Sequence, residues 1–199
     1  CTTNPPWANK LGTIGKPLPG LNIEIWDEDN KPLPQGKVGQ IAVSGPTVME
    51  GYLTEDGPVD AGLYKTEDGT KWVLTGDLAY IDEDGYLWFM GRSKRLVIIS
   101  GYNVYPGDIE KLLTELDFIK ESCAVQGFDA EGKKLIRLYV VADGADENAE
   151  EYNLQIIELC SARLDKFSVP RDIRYIDALP RTRLEKVDFM SLTENEPTK

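Results

Sequence analysis

The sequence predicts an α+β protein: a β-rich segment of short, mostly antiparallel strands over residues 1 to about 92, a short connector near 92–95, then a small α+β domain whose sheet is packed by helices. Three observations carry this prediction. Short apolar stretches with period-two alternation run through the first half, separated by most of the Gly and Pro residues. From about residue 106, apolar residues recur at helical spacing. Near residues 92–95, between the halves, cations cluster in a chain that is otherwise acidic.

Leu21-Asn22-Ile23-Glu24-Ile25-Trp26 alternates as a half-buried strand does, and Asp27 to Pro34 is a turn-rich connection. Val38 to Ser44 reads as a second strand. Leu78 to Ile81 and Tyr86 to Phe89 flank Asp82-Glu83-Asp84-Gly85; the Asp84-Gly85 pair marks a hairpin, because Gly accepts the positive φ of a tight turn. Pro106 suits a first helical turn, and Ile109, Leu112, Leu113 and Leu116 follow at spacings of three, one and three. Ser122 to Gly127 and Leu135 to Val141 read as buried strands. Residues 143–151 carry five acidic side chains and read as a solvated loop. Leu154, Ile157, Leu159 and Leu164 suggest a helix of about four turns. Ile173 to Ile176 is a last strand, and Thr193 to Lys199 a frayed polar tail. No internal repeat is visible.

Composition narrows the function. Lys and Arg number 22 against 34 Asp and Glu, a net charge of −12, so the chain gains nothing from counterion release on a phosphate backbone and no nucleic-acid partner is expected. The 199 residues are 41% apolar and contain no run long enough for a membrane span. Histidine is absent, which excludes a Ser-His-Asp triad, an imidazole base and a His metal ligand within this chain. Cys1, Cys123 and Cys160 are odd in number and widely spaced, so no zinc site and no disulfide framework is suggested; reduced thiols fit a cytoplasmic setting. The opening Cys-Thr-Thr-Asn-Pro-Pro reads as the interior of a longer protein.

Four segments hold residue types suited to chemistry. Thr75-Gly76-Asp77 follows the apolar run Trp72-Val73-Leu74; a carboxylate at a strand end accepts from both hydroxyls of a ribose, and the bland alternative is a turn aspartate. Gly91-Arg92-Ser93-Lys94-Arg95 offers cations for phosphate oxygens, or is a solvated basic turn. Ser100-Gly101-Tyr102-Asn103-Val104-Tyr105-Pro106 is a loop into a helix; Gly101 admits close approach and Asn103 carries donors and acceptors, unless the segment is a packed connector. Leu179 to Asp188 carries Arg181, Arg183 and Lys186 on a loop; a lysine there neutralises charge building on a phosphate, or is merely on the surface. Neither GxxxxGK[ST] nor GxGxxG occurs, so no complete phosphate cradle lies in the chain.

In order, these segments resemble the C-terminal portion of the adenylate-forming enzymes, the superfamily of acyl-CoA synthetases, peptide adenylation domains and firefly-type luciferases. Gly12 through Gly20 resembles "GSVGKPLPG", and Gly39-Gln40-Ile41 through Gly45-Pro46 and Gly51-Tyr52 resembles "GEI…GP…GY". Thr75-Gly76-Asp77 resembles TGD, Gly91 through Glu110 resembles "GRxKDxIxxxGxNVxPxEIE", and Pro180 through Lys186 resembles "PRTxxGK".

The resemblance implies a ligase that activates a carboxylic acid with ATP to acyl-AMP and transfers the acyl group to CoA. Residues 1–93 would end the large domain as its β-rich, barrel-like subdomain, Lys94 would be the hinge, and residues 95–199 the mobile C-terminal α+β domain. Asp77 would hold the ribose hydroxyls, and Arg92 the same ribose or its phosphate. Gly101, Tyr102 and Asn103 would line the path of the CoA thiol. Lys186 would be the adenylation lysine, bridging carboxylate and α-phosphate. ATP and CoA would be the substrates, with Mg2+ accompanying ATP; its ligand would lie upstream of Cys1, together with the phosphate loop and most of the acid pocket. The missing upstream part of the large domain is thus the implied partner, and a fatty or aryl acid the implied substrate. Glu185 departs from the family pattern, which has Gly before the lysine. That departure and the absent upstream segments leave a second reading open, a non-catalytic binding or regulatory module with the same fold.

Overall fold

A computed structural model of the chain describes residues 1–55, 57–59 and 62–193. The chain divides into two compact units, Cys1–Lys94 and Arg95–Lys199.

The first unit is built from β1 (Thr2–Thr3), β2 (Lys16–Pro17), β3 (Asn22–Trp26), β4 (Gly39–Ser44), β5 (Tyr52–Thr54), β6 (Gly57–Val59), β7 (Leu63–Lys65), β8 (Lys71–Ile81) and β9 (Leu87–Arg92). A five-stranded sheet in the order β3-β4-β8-β7, with β9 also paired to β8, forms a curled half-barrel. All its pairings are antiparallel. Ile25, Ile41, Val43, Ala79 and Leu87 pack on one face. Trp26, Ala42 and Trp72 pack on the other, so β3 is buried on both faces at its end rather than half-buried. The Trp26 ring stands edge-on to Tyr64 at 5.3 Å and tilted to Trp72 at 4.9 Å, which supplies the second covering layer.

One turn device recurs in both units. Asp27, Asp82 and Asp129 each accept, through Oδ1, the N–H groups two and four residues on, at 2.8–3.0 Å. The fourth residue of each turn has a positive φ: 59° at Asn30, 81° at Gly85 and 76° at Gly132. A short carboxylate that bonds its own turn explains why Asp begins these hairpins.

The second unit contains β10 (Val97–Ile99), β11 (Tyr102–Val104), α1 (Pro106–Leu113), β12 (Ile119–Phe128), β13 (Lys134–Ala142), α2 (Ala145–Arg163), β14 (Asp172–Tyr175) and α3 (Phe189–Leu192). β12 and β13 are antiparallel and β14 joins β13 in parallel, which leaves β12 as an edge. Ile109, Leu112 and Leu113 of α1 and Ile156 and Cys160 of α2 pack with Ala124, Ile136, Leu138 and Val140 on one face of this sheet. Leu179, Val187, Phe189 and Leu192 cover Cys123 and Val125 on the other face. Burial pushes the Cys123 thiol up to about 12 and that of Cys160 up to about 11, so neither is a nucleophile near neutrality.

Three expectations are corrected. Residues 145–151 are the first two turns of α2, not loop. Ala and Glu are good helix formers, and acidic groups are favoured at the positive end of a helix. Ile156 and Cys160 form its buried stripe, whereas Leu154 and Ile157 are exposed. The segment around Gly101 is a hairpin rather than a loop: Ile98 pairs with Asn103 and Ile99 with Tyr102. Its two-residue turn, Ser100-Gly101, has φ of 51° and 83°, the left-handed pair that matches strand twist. Of the expected frayed tail, residues 194–199 lie outside the described residues.

Candidate functional site

Thr75-Gly76-Asp77 is a bulge inside β8, where the sequence suggested a strand end. Opposite β4, Leu74 pairs with Ala42 and Leu78 with Gln40, so β8 holds two more residues than its partner. On the other edge, β7 pairs with β8 as far as Val73, and from Asp77, which stands opposite Arg92 at the end of β9, the neighbour is β9. The bulge therefore sits where β8 changes neighbours. Gly76, with φ 74°, makes the kink at no side-chain cost. Thr75 Oγ1 donates to the Ile41 carbonyl at 3.2 Å and accepts from the Asp77 N–H at 3.1 Å. Ser93 Oγ donates to the Gly76 carbonyl at 3.1 Å. These bonds hold the kink shut.

Arg92 Nε lies 3.0 Å from Asp77 Oδ1, yet Oδ1 is buried and makes no hydrogen bond among the described residues. The carboxylate thus keeps acceptor capacity, while the Arg92 side chain is 65% exposed. Lys94 is the last residue of the first unit; it is exposed, in a 3-10 turn over Ser93–Arg95.

In the second unit, Gly101 forms the hairpin turn and Tyr102 and Asn103 follow it, all three exposed. The Tyr102 ring stacks on Phe167 at 4.4 Å and 25°. Beside this hairpin lies a cleft of about 340 Å³, lined by Ser100, Lys133, Lys134, Phe167 and Arg171 among others. Sequence reasoning missed Lys133, Lys134, Phe167 and Arg171. The Lys133-Lys134 pair was the available signal, but nothing local ties it to a segment more than 30 residues on.

Lys186 is exposed on a second hairpin, closed by the Arg181–Val187 bridge and by Thr182 N–H donating to the Lys186 carbonyl at 2.8 Å. Arg181 is held by an ion pair with Glu121 of β12. Glu185 has φ 58°, the left-handed region that favours glycine, and forms no ion pair with Lys186. Asp77 and Arg92 thus come together in one unit, while Gly101–Asn103 and Lys186 occupy separate hairpins of the other. Among the described residues no group of three or more His, Cys, Asp or Glu is placed to hold a metal ion. No helix among them is long and apolar enough to cross a membrane.

Residues 1–53 match the family described as AMP-binding enzyme, and residues 108–186 the one described as AMP-binding enzyme C-terminal domain. The long-chain-fatty-acid–CoA ligase of Yersinia pestis is 31% identical over 185 residues, covering 93% of this chain and 31% of the relative. A 2-succinylbenzoate–CoA ligase of Bacillus licheniformis is 35% identical over 179 residues, covering 89% of this chain and 35% of the relative. Among solved structures, the o-succinylbenzoate CoA synthetase of Bacillus subtilis in complex with its acyl-adenylate intermediate aligns with a TM-score of 0.77 at 29% identity, over 96% of this chain and 37% of that one. ATP-bound MatB from Rhodopseudomonas palustris aligns with a TM-score of 0.72 at 34% identity, over 91% of this chain and 35% of that one. The chain spans about a third of the length of the curated relatives it matches.

Proposed function

This chain belongs to the adenylate-forming, AMP-binding enzymes, and from that premise we propose that it is the C-terminal portion of an AMP-forming acid–thiol ligase. The carboxylate attacks the α-phosphorus of ATP and expels pyrophosphate; the CoA thiol then gives up its proton to solvent and its sulfur displaces AMP from the acyl-adenylate. The observation that carries the reading is the bulge that sets the Asp77 carboxylate, with an oxygen that accepts no hydrogen bond, opposite an exposed Arg92.

Asp77 accepts from the ribose hydroxyls and Arg92 meets the ribose or its phosphate. Lys186 neutralises charge that develops at the α-phosphate, and the attacking carboxylate is already ionised, so the adenylation step needs no proton transfer from a chain without histidine. Mg2+ enters with ATP, and the upstream part of the large domain supplies its ligand and most of the acid pocket. Residues 95–199 act as the mobile small domain, turning about Lys94 to present Gly101, Tyr102 and Asn103 to the thiol. The adjoining cleft has the chemistry for the nucleotide end of CoA: three cations for phosphates and an aromatic face for a base. A cytoplasmic setting fits three free cysteines. Glu185, strained where the family pattern has Gly, favours the non-catalytic reading.

The test is acid-dependent ATP–pyrophosphate exchange by the complete gene product, expected in wild type and lost in Lys186→Ala. The 199-residue chain alone should release no pyrophosphate. No exchange by the complete protein with any fatty or aryl acid would leave the non-catalytic reading.

A further inference from the structure

Arg95 opens the second unit, in the place of the Asp of the pattern "GRxKDxI", so the charge there is reversed. Its guanidinium reaches Ala124 of the edge strand β12. Nη1 donates to Glu110 Oε2 at 3.1 Å and Nη2 to Glu110 Oε1, a two-pronged pair with α1. Nη2 also donates to the Ala124 carbonyl at 3.3 Å, while Glu110 Oε1 accepts from the Ala124 N–H at 2.9 Å. One ion pair thereby satisfies both the C=O and the N–H of the buried Ala124 on the edge strand. The same guanidinium stands 5.1 Å from the centre of the Phe189 ring. Phe189 belongs to α3, on the opposite sheet face from α1, and lies three residues beyond Lys186.

The geometry points to Arg95 as a positioning residue that joins the position after Lys94, across the sheet edge, to the helix that directly follows the Lys186 hairpin. Hinge and lysine then move as one body, and the angle turned at Lys94 is delivered to Lys186 without slack. This rests on the roles given to Lys94 and Lys186 above. A planar fork is required, because two prongs engage Glu110 while the face of the group meets the ring.

Two measurements separate this inference from the functional reading. The first needs no activity. In the 199-residue chain, Arg95→Met and Phe189→Leu should each speed amide exchange at Thr182, Glu185 and Asp188, whose N–H groups hold the hairpin, by about three- to tenfold. Leu138 and Val140 in β13 should keep their rates. No change at the hairpin overturns the inference, and so does an equal rise in β13, which marks a general loss of stability. The second uses the complete enzyme. Arg95→Met should lower kcat for ATP–pyrophosphate exchange by a similar factor, with KM for ATP and thioester formation from supplied acyl-AMP unchanged, and Arg95→Lys should recover only part. An inactive wild type removes the functional reading and leaves the exchange result to decide the coupling. An active wild type with Arg95→Met equal to it in both half-reactions overturns the coupling.

Discussion

Asp77 and Arg92 face each other across the β8–β9 pair, with Arg92 Nε 3.0 Å from a carboxylate oxygen that accepts no hydrogen bond. An ion pair with one side chain two-thirds exposed contributes at most about 1 kcal/mol, so a ligand displaces it readily. A ribose donating two hydroxyls to the carboxylate gains more, about 1.5–3 kcal/mol for each bond to a charged group. Asp77→Ala in the complete enzyme should therefore weaken ATP and acyl-AMP together, each by about tenfold or more. Titration calorimetry with both ligands checks this; a loss confined to one of them would remove the ribose assignment.

Lys186→Ala should reduce acyl-adenylate formation by about 100-fold or more and spare thioester formation from supplied acyl-AMP. Only the first step builds charge at phosphorus where this cation would sit. An equal fall in both half-reactions, or in neither, would contradict the role.

Glu185→Gly should stabilise the chain by about 1 kcal/mol. The left-handed conformation at Glu185, φ 58°, costs an ordinary residue roughly that much and costs glycine nothing. Urea unfolding of the two chains gives the comparison, and a lower midpoint for the variant would refute it.

Lys94→Pro should separate the half-reactions where Lys94→Ala does not. Proline locks φ near −65° and removes an N–H, so a pivot is frozen in one state. Adenylation should persist in the proline variant while thioester formation falls. Equal activity of both variants in both steps would leave residues 92–95 as a basic turn.

Asp82 lies below its ordinary 3.8 because Lys10 donates to it at 2.7 Å, with Trp88 Nε1 at 2.8 Å as a further donor. A depressed folded value means that Asp82 stabilises fully above pH 3.8 and ever less as pH falls below 3.8 toward the depressed folded value. Lys10, raised above 10.5 by the same partner, loses its share only as pH rises past that point. The urea midpoint of wild type should exceed that of Asp82→Asn at pH 7, and the gap should shrink between about pH 4 and pH 2. A gap constant with pH would show that the carboxylate charge is not what stabilises the turn.

The sequence by itself determined the α+β class, the hairpin at Asp84-Gly85, helix α1 and the order of the candidate segments. These are local facts: period-two alternation, positive-φ demands and helical spacing act between residues a few positions apart. Only the tertiary structure decided that Thr75-Gly76-Asp77 is a bulge at a change of strand partners, because a bulge is defined by residues 40–42 and 91–92 as much as by its own. The same holds for the fate of 145–151 and the buried stripe of α2, which are settled by what the helix packs against. Arg95 is the sharpest case. Its neighbours in sequence mark a solvated basic turn, and its work is set by Glu110, Ala124 and Phe189, which chain spacing keeps apart and the sheet edge brings to one guanidinium.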